Sequence, residues 1–471
     1  MRSGNWLTAA GATAALLTSG GADWPQFRGP GGSGVVAESA TPAEWAADKN
    51  VAWTAAVRGV AWACPIVVGG KVFVATAVAD GQSKPGGGFG GGGGRPGGGG
   101  PPGGGGRKGG PDKVYTWKLV CLDLATGKQQ WASTVAEGKP KYGTHGSNTF
   151  ASETPASDGE RVYAYFAAAG VVAAYDLAGT ELWRKEVGAF PTQANWGTSS
   201  SPVVHAGLVY VQCDNEEKSF LLALDAKTGA EKWRADRAEP SGWSTPYVWV
   251  TPGRTDLVVG GSQKLRGYDP ATGKVVWELG VGGGQNSASP VGDAERLYFG
   301  TGVGGKGPRG GPPGGGAPAG GGPGGPGTLY AVTAGVVGDI SLKAGESASG
   351  GVVWSARAAV PAAASPLVAD GRVYVFERQG GLVSCYDAKT GKPHYTKERI
   401  PNAKAFWASP WAAGGNVFCL DEGGTTHVLK AGDTFEVVRA NSLGKDVYWA
   451  TPAVAGGTLV VRGVDTLYGI R

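Results

Sequence analysis

Paired cysteines, clustered histidines and long apolar runs are all missing from this chain, and each absence closes off a class of function. The five cysteines, Cys64, Cys121, Cys213, Cys385 and Cys419, include no Cys-x-x-Cys and no adjacent pair. Their odd number excludes a complete disulfide framework. Set among apolar residues, they read as small buried hydrophobes in strands. His145, His205, His394 and His427 are scattered and lack the spacing of metal ligands. The apolar run from Trp6 to Leu17 falls short of the ~20 residues that span a bilayer. The net charge of +5 lies largely in tails and inserts rather than on one basic face, so nothing asks for nucleic acid.

What is present is a repeat. Residues 201–233 read SPVVHAGLVYVQCDNEEKSFLLALDAKTGAEKW, with short runs rich in Val, Leu and Tyr separated by Gly, Asn and Asp. Such runs are strands joined by tight hairpins, here a four-stranded antiparallel meander with strands A to D. A Ser, Thr or Cys followed by Pro opens strand A at Cys64, Thr154, Ser201, Thr245, Ser289, Ser365, Ser409 and Thr451. From the second opener onward the spacings are 47, 44, 44, 76, 44 and 42 residues. Strand D closes on Trp131, Trp183, Trp233, Trp277, Trp354, Tyr395 and Val438. Four strands per unit of about 40–45 residues are the mark of a propeller blade. Seven units are complete, and the last stops after Ile470 without a strand D. The segment Lys49-Asn-Val-Ala-Trp53 resembles that missing strand. An all-β propeller of eight four-stranded blades is therefore expected over 49–471, closed by an N-terminal strand that hides an open edge.

Three further regions complete the organisation. Residues 1–22 read as an export signal, with Arg2, the apolar run and the small residues Gly20, Gly21 and Ala22. Residues 23–48 read as an extended lead-in packed on the ring through Trp24, Phe27 and Trp45. Gly/Pro-rich tracts at about 81–112 and 303–327 account for much of the 87 glycines and are expected to be disordered. Both tracts fall between strands B and C, in blades half a turn apart, so they hang from opposite sides of one face. The repeated Asp-x-x-Thr-Gly segments at Asp123, Asp225, Asp269 and Asp387 build the C–D hairpin: Asp binds local amides and Gly takes positive φ.

The run Asp225-Ala-Lys-Thr-Gly-Ala-Glu-Lys-Trp233 and its counterpart Asp269 to Trp277 resemble the pyrroloquinoline-quinone-type (PQQ-type) repeat. The resemblance covers residues 49–471. Within that superfamily the chain looks most like the outer-membrane assembly factor BamB group, whose members are non-catalytic eight-bladed scaffolds. The resemblance thus implies an exported scaffold of the periplasm or cell envelope, touching the membrane peripherally at most, with no cofactor or metal. Quinoprotein dehydrogenases of the superfamily use adjacent cysteines and Ca²⁺ ligands, and neither motif is found here. PQQ with Ca²⁺ enters only under the alternative reading, a quinone-dependent oxidoreductase.

The partner surface has one candidate in the sequence. A Trp stands two residues before the opener in four blades, at Trp62, Trp243, Trp407 and Trp449. Trp407, Trp449 and Trp62 belong to consecutive blades of a closed ring. Two readings stand side by side: packing between blades, or an aromatic contact surface at the channel mouth for a protein or polysaccharide partner.

Overall fold

The computed structural model describes residues 23–36, 41–85, 110–284, 286–302, 327–357, 361 and 363–471. The export-signal segment and most of both Gly/Pro-rich tracts lie outside these residues. The edges of the first tract are narrower than expected, because residues 81–85 and 110–112 are held in place. Lys84 pairs with Asp465 at 2.9 Å, Gly110 N donates to Lys141 O at 3.0 Å, and Lys113 Nζ donates to Gly81 O at 2.9 Å.

Eight antiparallel sheets form the blades. Blade 3 shows how the sequence makes one: strands A to D are Val203–His205, Leu208–Cys213, Phe220–Asp225 and Glu231–Asp236. Strands B and C are apolar on both faces and buried on both, as a strand between stacked neighbours must be. Strand D alternates exposed and half-buried residues, the pattern of an outer strand with one wet face. Blades 1, 2 and 5 to 7 repeat this order. In the last sheet Val51–Ala56 lies antiparallel to Thr466–Ile470, with Thr54 opposite Tyr468.

At five of the blade junctions a strand D tryptophan packs on the next blade. Trp183 Nε1 donates to Ala226 O at 3.0 Å, and its ring lies on the turn glycine Gly229. That residue has φ +70°, and a Cβ there would sit 2.6 Å from the indole. Trp53 on Gly127, Trp131 on Gly179, Trp233 on Gly273 and Trp354 on Gly391 repeat the contact. The turn Asp does the local work expected of it, since Asp225 Oδ1 accepts the amides of Lys227 and Thr228 at 3.0 Å.

One blade departs from four strands. Gly338–Asp339 joins blade 4 as a fifth strand, parallel to Val275–Gly280. Blade 5 has no Asp-x-x-Thr-Gly turn between its strands C and D, and the longer excursion there lies against blade 4 instead. Trp277, without a turn glycine to cover, turns inward and donates to Asp256 Oδ2 at 2.8 Å.

The openers themselves form a closed circle. Each backbone N–H of an opener donates to the hydroxyl of the next blade's opener, from Cys64 through Thr154, Ser201, Thr245, Ser289, Ser365, Ser409 and Thr451. The last bond runs from Thr451 N to Cys64 Sγ at 3.1 Å. All eight openers are buried. Proline next in sequence fixes φ, needs no partner of its own and holds the opener extended. Cys64 thus stands in this circle, just before strand A, and not in a strand as expected; the other four cysteines are in strands, and all five are free.

The lead-in crosses one end of the ring. Trp24 bridges Val67 in blade 1, Ser157 N in blade 2 donates to Pro25 O at 2.8 Å, and Val36 N donates to Ala412 O of blade 7 at 2.8 Å. Its blade 1 and 7 partners lie three residues past the openers, whereas the Trp candidates lie two residues before them. The segment and the tryptophans therefore occupy opposite sides of the hydrogen-bonded circle.

Candidate functional site

The axis of the ring holds a cavity of about 540 Å³. Phe27 of the lead-in is among its lining residues, and its waist is lined by Cys64, Thr154, Ser201, Thr245, Ser289, Ser409 and Thr451.

All four sequence candidates line this cavity, and three of them are brought into one stack. Trp407 and Trp449 lie 3.9 Å apart at 16°, and Trp449 and Trp62 lie 4.9 Å apart at 21°. The guanidinium of Arg378 sits 5.2 Å over the Trp407 ring and extends the stack outward. Aromatic stacks and a cation over an indole face both gain from the ring quadrupole. Trp62 is buried and fixed by its Nε1, which donates to Ser147 O at 2.8 Å. Trp407 and Trp449 are half-buried, and Trp449 Nε1 has no acceptor among the described residues.

Trp243 is separate from that stack and belongs to a second wall. It is buried, its Nε1 donates to Gly197 O at 2.7 Å, and its ring lies 6.3 Å from Trp196. Trp196 in turn stacks on His145 at 5.4 Å. Sequence reasoning missed Trp196, which stands five residues before its opener instead of two, and His145, which carries no local pattern. It also missed the polar side of the mouth, where Glu377, Arg378 and Gln379 line the cavity from the B–C turn of blade 6 with Lys397 from its strand D. Lys397 Nζ is 3.5 Å from Glu377, and burial lowers the Arg378 pKa. Blade 6 therefore gives the mouth one excess positive charge.

A buried acid stands beside the second wall. Glu153 is 1 % exposed and accepts a hydrogen bond from the Thr198 hydroxyl. Burial pushes its carboxyl up to about 7. Thr198 lies between Gly197, which holds Trp243, and the cavity-lining Ser199.

Among the described residues that line the cavity Glu377 is the one carboxylate, and it faces Lys397. Among the described residues no three His, Cys, Asp or Glu side chains converge.

Compared with known proteins, the chain matches the family described as outer membrane protein assembly factor BamB over residues 118–307 and 308–433. The quinohemoprotein alcohol dehydrogenase of Comamonas testosteroni is similar in structure, with a TM-score of 0.56 and 14 % identity over 95 % of this chain and 80 % of that one. The quinohemoprotein alcohol dehydrogenase ADHIIG of Pseudomonas putida HK5 gives 0.53 and 12 % over the same shares. BamB from Moraxella catarrhalis gives 0.37 and 16 % over 67 % of this chain and 93 % of that one. No curated protein matches. At these identities the dehydrogenases share the fold and nothing further is carried from them.

Proposed function

We propose a function from one premise: the chain belongs to the family of the outer membrane protein assembly factor BamB. It is a non-catalytic propeller of the cell envelope that holds a protein partner at the mouth of its axial pocket. The carrying observation is the continuous stack Arg378–Trp407–Trp449–Trp62. Trp and Arg are the residue types enriched where binding energy concentrates, in desolvated pockets rimmed by near-neutral contacts. An oxidoreductase reading has the shared fold alone behind it.

Crosslinking tests this. A photoreactive residue at position 378 should trap one envelope protein on illumination, and Trp449→Ala should abolish the adduct. The same probe at the exposed Val438 should trap none. An adduct indifferent to Trp449→Ala defeats the proposal. Dye reduction on adding PQQ and Ca²⁺ would favour the oxidoreductase instead.

A further inference from the structure

Among the described residues, none neutralises the charge that Arg28 brings to the lead-in. Arg28 is 1 % exposed, and its Nη2 donates to Pro366 O at 2.7 Å and to Ser33 O at 3.1 Å. Its Nε and Nη1 are buried with no hydrogen-bond partner among the described residues. No carboxylate is paired with it there. Tyr247, a neutral phenol beside it, is committed through its hydroxyl to Gly292 O at 3.0 Å. The backbone is strained as well: Arg28 has φ 63°, a left-handed conformation that residues with a side chain rarely adopt.

A guanidinium cannot shed its proton at ordinary pH, so a buried one without a counter-charge pays a penalty that proteins normally avoid by pairing. Beside Arg28 lies a second, small cavity of about 10 Å³, lined also by Gln26, Thr245, Tyr247 and Ser289. By the measure in which about 10–15 Å³ holds one water, that space takes a single small occupant. The two observations are independent: one is a cation with two unused donors, the other a single-atom space at its side.

We propose that Arg28 and this cavity form a buried site for one monatomic anion, chloride in ordinary media. The bound ion accepts from the guanidinium and fixes the lead-in where it crosses the ring. The site does not depend on what the pocket mouth binds.

Thermal unfolding of the full chain in sodium chloride and in sodium gluconate at equal ionic strength tests this, since gluconate cannot enter. A ligand that binds only the folded state raises its stability saturably, so chloride and bromide should raise Tm by about 2 °C or more over gluconate. In Arg28→Met the halide and gluconate curves should coincide. If that variant does not fold, a crystal of the unaltered protein grown in bromide should show an anomalous peak against the Arg28 guanidinium. Equal melting in halide and gluconate, or density there for water only, overturns the proposal.

Discussion

Changing Cys64 probes the hydrogen-bonded circle at its one unlike link. Seven links accept through a hydroxyl oxygen, and the eighth, from Thr451 N, accepts through the Cys64 sulfur at 3.1 Å. Thr451 is 3 % exposed and Cys64 7 % exposed, so water cannot replace a lost acceptor. Cys64→Val removes the acceptor while adding one carbon, leaving a buried N–H unsatisfied at a cost of about 1–3 kcal/mol. Cys64→Ser restores an oxygen like the other seven, so its stability should stay within about 0.5 kcal/mol of the parent or exceed it. Burial raises the thiol pKa, so the parent should react slowly with thiol reagents while folded. Urea denaturation followed by tryptophan fluorescence gives the order Ser ≥ Cys > Val. Hydrogen exchange at the Thr451 amide should quicken only in the Val variant. If Val and Ser unfold together and the amide is equally protected in both, the circle contributes nothing and the reasoning fails.

Three other outcomes are expected. Gly229→Ala, at φ +70° and 2.6 Å from the Trp183 ring, should lose about 2–4 kcal/mol in chemical denaturation from strain and overlap together. Glu153 titrates near 7 in the folded protein against 4.5 for the free side chain. Between those values the native state holds a proton that the unfolded chain lacks, so stability falls as pH rises through the window and then levels off. Glu153→Gln should remove up to about 3 kcal/mol of that fall in melts from pH 4 to 8. Replacing residues 86–109 by a short linker should leave the melting temperature nearly unchanged, because loop closure varies by only about 0.6 kcal/mol per doubling of length.

The fold could be read in the sequence because each blade is a local unit: strands B and C announce themselves as apolar runs, and Asp225 with Gly229 marks the turn between C and D. The pairing of Val51–Ala56 with Thr466–Ile470 left only the trace of a strand missing at one end and a similar one at the other. What escaped was non-local. The Ser/Thr-Pro openers were visible as markers, but the bond each makes reaches 42 to 90 residues along the chain, and 387 residues for Thr451 and Cys64. The site was half visible for the same reason. A fixed offset from the opener picked out Trp62, Trp243, Trp407 and Trp449, and blade order set the stacked three apart from Trp243, yet nothing local separated Trp196 and Arg378 from the background. The fifth strand of blade 4 and the buried Arg28, without a carboxylate among the described residues, left no periodic signal.

The direct test of the binding account pairs affinity with stability. Once the partner trapped at position 378 is purified, its dissociation constant is measured by calorimetry for the parent, Trp407→Ala and Trp449→Ala, alongside their melting temperatures. The account predicts at least about tenfold weaker binding for each variant, the ~1.4 kcal/mol expected of a binding hot spot, with melting close to that of the parent. Unchanged affinity, or a collapse in melting of the size that core tryptophans give, about 3–5 kcal/mol, would contradict it and leave the stack as packing between blades.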